Sequence, residues 1–569
     1  MTRTLPGGAT PAPPLPPVPP LPGAWPPADP AAARGQATFT DVVRVDAGHL
    51  VDGDGRRLLL RGVGLGNWHL PEGYMWLFSD GGPASPREIE ALVVDLVGPG
   101  RAARFWERFR DEFVTQEDVR WIAAAGFDHV RLPLNARYLL DDDGAVRPDA
   151  FALPDRLVDW CREAGLWVVL DLHGAPGGQT GTNIDDSEHG RPALFEDDEH
   201  RRRTVALWTA IARHYADEPV VAGYDLLNEP LPHEWQHRYP DRLVALYREL
   251  TTAIREVDTR HVLIYEGTHW ATNWDIFTQV WDPQSMLQFH KYWSPPDRPG
   301  IEGYLRTGAG LGLPVYMGEG GENNPDWLAT AFGMYDDLGV SWCFWTWKKV
   351  GTLTSPLSVD PPAGWDEVLA YASGRAPRPG ADDAWATLQA LLEALAPSRC
   401  TPRPEVVRAL QRRPPLSLPA VAYGFRPGDH AFATPAAEPV LRRDEGAPIE
   451  LDGGGEPDFD LVGGRPGDVE RRLSLRLADG DRVAYRVRVP EPVTVTVRVR
   501  GHGATPDLRL DAEPGPGEAS AAAPATAPGP AVADGDDAWI WTVHLPAGGA
   551  VLHVVGGPGG TRVRRVEVG

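Results

Sequence analysis

A chain of 569 residues is long enough for one large domain of about 250 residues or more and a second, smaller one. The 79 Asp and Glu against 55 Lys and Arg give a net charge of −24, which argues against nucleic acid or an anionic membrane as a partner. No apolar run reaches the roughly 20 residues that span a bilayer. Three cysteines cannot all pair, and Cys161 and Cys343 lie in apolar stretches, so we expect buried free thiols. The oligomeric state stays open.

Residues 1–34 are dominated by Pro, Ala and Gly, as in the run PPLPPVPP at residues 13–20. This composition predicts a disordered, partly polyproline tail. The segment lacks the basic start and apolar core of a secretory signal peptide. As written, the sequence therefore predicts a cytoplasmic protein, or an extracellular one if it is exported by another route.

From residue 42 onward, apolar strand patterns alternate with helical patterns, which is typical of a parallel α/β architecture. Eight strands are predicted, at residues 57–65, 127–134, 166–172, 220–227, 261–265, 286–289, 314–318 and 340–344. Eight such units predict a closed (β/α)8 TIM barrel over residues 41–399.

Polar or aromatic side chains lie at the ends of six of these eight strands. They are Arg131 and Asn135, Asp171 and His173, Asn228 and Glu229, His290 and Tyr292, Glu319, and Trp345 with Trp347 and Lys348. In a TIM barrel, the carboxyl ends of all strands meet at one rim, which carries the chemistry. A barrel built for packing alone would have little reason for this pattern, so we expect a functional site there.

Two of these strand ends carry a glutamate. The sequence GYDLLNEP at residues 223–230 ends a buried strand in Asn228 and Glu229, and PVYMGEG at residues 314–320 delivers Glu319 into a glycine-rich turn. A single such carboxylate is readily explained as a polar cap on a strand. Two of them are what hydrolysis of a sugar acetal requires, one to protonate the leaving oxygen and one to attack or stabilise the anomeric carbon.

With these motifs, residues 41–399 resemble glycoside hydrolase family 5, the cellulase and exo-β-glucanase family. Its eight recurrent functional positions find counterparts here in the same order. They are Arg131, His173, Asn228, Glu229, His290, Tyr292, Glu319 and Trp345. The resemblance implies a hydrolase of O-glycosidic bonds with a carbohydrate as its partner.

The resemblance also implies roles. Glu229 would be the general acid and base, Asn228 would hold the 2-hydroxyl of the reacting sugar, and Glu319 would be the nucleophile. Arg131 and Tyr292 are the expected partners that keep Glu319 ionised. This assignment predicts retention of anomeric configuration, with carboxylates about 5–5.5 Å apart. His173 and His290 suit a purely structural role as well as sugar contact.

The substrate is indicated by two loops. The sequence DLHGAPGGQ at residues 171–179 is similar to the third-strand loop of exo-β-1,3-glucanases, and Gly66-Asn67-Trp68 followed by Glu72 is similar to their first-strand loop. The likeness implies that Glu72 binds the terminal sugar and makes the enzyme exo-acting on β-glucans or β-glucosides. The alternatives are an endo-acting cellulase or mannanase, and a non-catalytic carbohydrate-binding protein.

A rival motif is HEWQH at residues 233–237, which matches the His-Glu-x-x-His pattern of zinc hydrolases. Pro230 and Pro232 precede it and Pro240 follows, so little more than two helical turns fit, and no third ligand stands out. Neither a nucleophile elbow nor a phosphate-binding loop occurs. We expect no metal and no cofactor.

The last part of the chain has a different pattern. Residues 400–419 read as a linker, and residues 420–569 alternate apolar and polar residues as in 482–489 and 493–499. This predicts an all-β, jelly-roll-like sandwich that resembles carbohydrate-binding modules. Trp539 and Trp541 fall on one face, where core packing is favoured over sugar stacking.

Overall fold

The computed structural model describes residues 25, 35, 37–79, 81–462, 465–513, 531–535 and 537–569. The predicted tail at residues 1–34 therefore lies outside the described residues, apart from Trp25. Trp25 is buried and packs edge-on against Trp121 and Trp347. Its indole N–H donates to the carbonyl of Trp121. This one side chain is thus part of the protein core.

Eight parallel strands form a closed barrel, in which each strand pairs with its neighbours in the sequence and the last pairs with the first. The strands are β1 Arg61–Gly64, β2 His129–Asn135, β3 Trp167–Gly174, β4 Val221–Asp225, β5 Val262–Glu266, β6 Ser285–His290, β7 Val315–Gly321 and β8 Ser341–Trp345. The predicted TIM barrel is confirmed. β1 is shorter than predicted because Leu58 donates its backbone N–H to Leu50 of a preceding hairpin instead.

Helices cover the outside of the barrel. They are α1 Pro86–Val97, α2 Pro99–Glu112, α3 Gln116–Ala125, α4 Ala152–Ala164, α5 Asp198–Tyr215, α6 Pro240–Arg255, α7 Glu302–Leu311, α8 Pro325–Asp337, α9 Trp365–Ala372, α10 Ala381–Ala394 and α11 Pro404–Gln411. Residues 267–284, between β5 and β6, contain no helix. None of the helices in the described part of the chain is both long enough and apolar enough to cross a membrane.

The barrel strands are buried on both faces, and every residue of β2 and β3 is buried. A strand covered by helices outside and by side chains inside reads as a nearly continuous apolar run, which is why these strands are predictable. The polar exceptions, among them Arg131, Asp171 and His173, point to the barrel interior near the strand ends. All three cysteines are buried and unpaired.

The C-terminal domain consists of two antiparallel sheets, which confirms the predicted all-β class. One sheet contains Leu416–Pro419, Ile449–Leu451, Leu473–Leu477, Val493–Gly503, Val532–Ala533, Ala538–Leu545 and Thr561–Val568, and the other contains His430–Ala431, Arg482–Val489, Asp507–Ala512 and Gly548–Val555. Trp539 and Trp541 are both buried in the shared core. Neither indole therefore offers a face for sugar stacking.

Residues 400–419, predicted to be a linker, hold regular structure. The helix α11 buries Val406, Val407 and Leu410, and Leu416–Pro419 pairs with Thr561–Val568 as a strand of the sandwich. The apolar face of α11 needs a partner, and the barrel helix α8 supplies it, so the connection is packed between the two domains.

The sandwich docks on the barrel next to β7. Asn324, which caps α8, donates its amide to the carbonyl of Gly467 and to Glu470 of the sandwich. Further along α8, Asp336 accepts a hydrogen bond from Arg488 at 2.7 Å. A hairpin of Leu461–Val462 and Arg465–Pro466 extends from this interface to the barrel rim.

Candidate active site

A cavity of about 1220 Å³ opens at the carboxyl ends of the barrel strands. Seven residues singled out from the sequence line it, namely Glu72, His173, Glu229, His290, Tyr292, Glu319 and Trp345. The remaining two, Arg131 and Asn228, lie beneath its floor and hydrogen-bond to side chains that line it. The structure thus brings all nine predicted residues together.

The two glutamates face each other across this cavity. One carboxylate oxygen of Glu229, one of Glu319 and a ring nitrogen of His290 lie within 4.8 Å of one another. Both glutamates are buried, yet they line the open cavity. Glu229 has a left-handed backbone conformation with φ of 47°, and its N–H donates to the carboxylate of Glu266 at 2.7 Å. This bond fixes the direction in which Glu229 leaves the end of β4.

Glu319 is held from two sides. Arg131 donates from Nη1 to Oε1 at 2.8 Å, and the hydroxyl of Tyr292 donates to Oε2 at 2.9 Å. Burial raises the pKa of Glu319, His290 and Arg131 lower it, and the charge of Glu229 raises it further, so the net direction is upward. The two predicted partners of Glu319 therefore favour its ionised form against the cost of burying it.

His290 connects the two carboxylates. Its Nδ1 lies 2.5 Å from Oε1 of Glu229 and 3.6 Å from Oε2 of Glu319. Burial lowers the pKa of His290, but the charges of Glu266, Glu319 and Glu229 outweigh burial and raise this pKa well above its ordinary value. The imidazolium form is thus favoured, and a proton lies in the hydrogen bond between His290 and Glu229.

His173 has the opposite character. Burial lowers its pKa to about 4, which favours the neutral ring. Its Nδ1 lies 2.7 Å from Asp171, and its Nε2 lies 3.2 Å from the amide nitrogen of Asn228. Nδ1 therefore donates and Nε2 accepts. Since Arg131 also donates to the amide oxygen of Asn228 at 2.8 Å, the orientation of this amide is fixed, and one amide hydrogen is left for the cavity.

Trp345 forms one wall of the cavity. Its ring is parallel to His173, with a centroid distance of 5.5 Å and an interplanar angle of 2°, and its N–H donates to the hydroxyl of Tyr74 at 2.9 Å. Gly64 and Gly66 lie directly against the indole. A Cβ atom at either position would be only 2.5 Å from a ring carbon, so no larger residue fits there without moving the ring. The glycines of the first-strand sequence thus make room for a flat aromatic ring.

Glu72 lies in the loop after β1 and is only 2% exposed. Its carboxyl group makes no hydrogen bond to any residue that the structure describes, although it lines the cavity. Burial raises the pKa of Glu72 well above its ordinary value, and the charges of Glu319 and Glu229 add to this effect. The oxygens of Glu72 face the cavity and not a donor among the described residues, so the carboxyl group is available to a ligand.

Four further buried polar residues lie under the site; Asp171 was named from the sequence as a strand-end side chain, but the other three were missed. Asp171, Asp225, Glu266 and Gln288 surround Arg131 and each other. Burial raises the pKa of Asp171 to about 8 and that of Asp225 well above its ordinary value, so this crowded set keeps some protons. Glu266 ends β5 and could have been recognised by the same strand-end signal as Glu229.

The His-Glu-x-x-His segment takes no part in this arrangement. It lies in the loop after β4, where its last histidine, His237, belongs to the four-residue helix Trp235–Arg238. Within the described residues, the group of side chains spaced for a metal is Glu229, His290 and Glu319, which are already hydrogen-bonded or ion-paired to one another or to Arg131 and Tyr292.

A parallel eight-stranded barrel with two facing carboxylates at its carboxyl-end rim is typical of barrel glycosidases. Residues 99–351 match the family model described as Cellulase (glycosyl hydrolase family 5). The match extends over the barrel strands β2 to β8, as the strand-end residues implied.

Curated relatives carry several different names. The chain is 34% identical over 237 residues to "Beta-xylosidase" of Phanerodontia chrysosporium, which covers 41% of this chain and 48% of that protein. It is 32% identical over 188 residues to "Endoglucanase C" of Acetivibrio thermocellus, covering 32% of this chain and 51% of that protein. It is 28% identical over 392 residues to "Probable glucan 1,3-beta-glucosidase A" of Neosartorya fischeri, covering 57% of this chain and 88% of that protein. The chain thus spans about half the length of the first two relatives.

Proposed function

We propose that this chain is a retaining β-glycosidase that hydrolyses β-glucans or β-glucosides and releases one sugar at a time from a chain end. The observation that carries this proposal is the pair Glu229 and Glu319, with carboxylate oxygens within 4.8 Å of each other at the barrel rim. The match of residues 99–351 to the model of glycosyl hydrolase family 5 supports the same reaction class.

The spacing supports retention. Inverting glycosidases hold their carboxyl groups about 6.5–9.5 Å apart to admit a water molecule, whereas retaining enzymes hold them about 5–5.5 Å apart. In the proposed reaction, Glu319 attacks the anomeric carbon and Glu229 gives a proton to the departing oxygen. Glu229 then takes a proton from a water molecule, whose oxygen displaces Glu319 from the sugar.

The surrounding contacts support these roles. Arg131 and Tyr292 each bond one oxygen of Glu319, which keeps the attacking carboxylate oriented. His290 is hydrogen-bonded to Oε1 of Glu229, which keeps the acid and base oriented through both proton transfers. The free amide hydrogen of Asn228 is available to the 2-hydroxyl, where a hydrogen bond strengthens as positive charge develops on the sugar.

Exo action is supported by Glu72. A buried carboxyl group without a partner beside the catalytic pair suits the hydroxyls of a terminal sugar. The names of the xylosidase and the 1,3-glucosidase relatives agree with this, whereas the endoglucanase relative supports endo action as the second candidate. A time course on a β-1,3-glucan separates the two, since exo action releases glucose first and endo action releases oligosaccharides first.

The nucleophile is tested with an aryl β-glucoside. We expect Glu319→Gln to lower kcat by more than about 10³-fold, while Glu302→Gln, the same change on the outer helix α7, leaves it unaltered. Azide added to Glu319→Ala should give an α-glycosyl azide, and NMR of the wild-type reaction should show the β-anomer of the product first. Equal rates for the two glutamine variants, or the α-anomer first, would contradict the assignment.

For the sandwich domain we propose a bracing role. It docks on α8, the helix that follows the strand bearing Glu319, through Asn324 and Asp336. The burial of Trp539 and Trp541 gives no support to sugar binding by this domain.

A further inference from the structure

Exposed apolar side chains gather at the mouth of the cavity. The described part of the chain has seven exposed large hydrophobic side chains, and four of them, Tyr74, Leu77, Trp293 and Leu353, line this one cavity. Exposed apolar residues scattered singly over a surface need no explanation, but a cluster around a binding cavity marks what the cavity binds.

The cluster is assembled from segments far apart in the sequence. Tyr74 and Leu77 follow β1, Trp293 follows β6 and Leu353 follows β8. The sandwich domain adds Leu461 and Pro466 of its hairpin, both partly buried. An apolar surface that needs four separate segments and both domains is not a by-product of one loop.

The cluster is also held in place. The indole N–H of Trp293 donates to the carbonyl of Glu322 at 3.3 Å, so its ring is oriented. Leu77 packs against Gly351, where a Cβ would lie 2.9 Å from one of its methyl groups. The surface is therefore preformed, which lowers the entropic cost of binding.

Its chemistry does not suit a second sugar. A pyranose presents hydroxyls that require hydrogen-bond partners, and only an aromatic face matches its apolar side. Tyr74 and Trp293 present aromatic rings. Leu77, Leu353 and Leu461, however, make up much of the rest of the surface and offer neither hydrogen bonds nor an aromatic face. The volume of about 1220 Å³ also exceeds the roughly 300–1,000 Å³ of a usual small-molecule pocket, so the cavity holds more than one sugar ring.

We propose that this mouth binds a hydrocarbon aglycone, so that amphiphilic β-glucosides are better substrates than glucans. The inference rests on the proposed glycosidase function and specifies its leaving group. The sugar lies at Glu229 and Glu319, the aglycone extends along the apolar cluster, and it departs as an alcohol that carries the proton from Glu229. Polar groups such as Arg465 border the apolar surface towards solvent.

The test uses butyl, hexyl and octyl β-D-glucosides below the concentration at which micelles form. Laminaribiose, whose leaving group is a sugar, is the comparison. The three alcohols are nearly equally acidic, so differences in kcat/KM report binding of the chain. We expect kcat/KM to rise by up to about fourfold for each methylene that is buried, and to exceed that of laminaribiose.

The variants Leu353→Ser and Leu461→Ser should flatten this dependence on chain length. Val94→Ser is the matched control, because Val94 is about as exposed as Leu353 but lies on α1 outside the cavity. Thermal denaturation checks that each variant is folded. A flat series in the wild type, or a slope that folded Leu353→Ser and Leu461→Ser leave unchanged, would overturn the aglycone proposal while hydrolysis itself continued. Failure of the wild type to cleave any of the glycosides would overturn the proposed function instead.

Discussion

Substituting Gly66 by alanine tests whether the position of Trp345 matters for catalysis. The added Cβ would lie 2.5 Å from Cζ2 of the indole, whereas ordinary contacts begin at 3.4 Å. The ring must therefore shift by roughly 0.9 Å from the position in which it lines the cavity and contacts His173 and Tyr74. A displacement of about 1 Å can cost about 10²-fold in rate.

We accordingly expect Gly66→Ala to lower kcat on an aryl β-glucoside by about 10²-fold, with a loss of about 1–3 kcal/mol in the free energy of unfolding from overpacking. Gly303→Ala is the matched control, since Gly303 lies on α7, where an added Cβ would meet no atom within 4 Å, and it should behave as wild type. Trp345→Ala removes the ring completely, and its loss of kcat is the reference with which the effect of Gly66→Ala is compared. A folded Gly66→Ala protein with wild-type kcat would refute the reasoning.

Further predictions concern stability and substrate contact. Burial raises the pKa of Glu470 from 4.5 to about 7, so the folded protein keeps a proton that the unfolded chain releases, and stability falls by up to about 3 kcal/mol as the pH rises from 4.5 to 7. Glu470→Gln should therefore raise Tm more at pH 8 than at pH 4.5, and an equal effect at both would contradict this. Trp25→Ala should cost about 3–5 kcal/mol in chemical denaturation, while the same change at exposed Trp293 should cost less than about 0.5. Asn228→Ala should lower kcat/KM for a glucoside by about 10²-fold but much less for the 2-deoxyglucoside, since the lost bond is to the 2-hydroxyl; equal losses on both would exclude that contact.

The barrel strands and eight of the nine site residues were predictable for one physical reason, whereas Glu72, in the loop after β1, was predicted from the resemblance alone. A parallel strand buried on both faces must be apolar along its length, so a polar side chain at its end stands out against that background. Glu229 after β4 and Glu319 in β7 are such residues. The resemblance to family 5 then supplied their roles, which the spacing of residues along the chain does not reveal by itself.

Most of the polar floor was missed because its members contact one another across the barrel and not along the chain. Asp225 and Gln288 are buried polar residues whose cost is offset by Arg131 and by each other. The neighbouring sequence does not distinguish such a residue from a buried polar residue without a function, since its partners come from other strands of the barrel.

The sequence by itself determined the barrel, the β-sandwich and the pairing of two glutamates with their neighbours, because these depend on local periodicity and on residue type at strand ends. Only the tertiary structure decided that α11 packs between the domains, that Trp25 enters the core, and that Leu461 reaches a cavity whose catalytic residues lie more than 100 residues earlier. These features arise from contacts between distant segments, where the free energy depends on how surfaces fit together rather than on the order of residues along the chain.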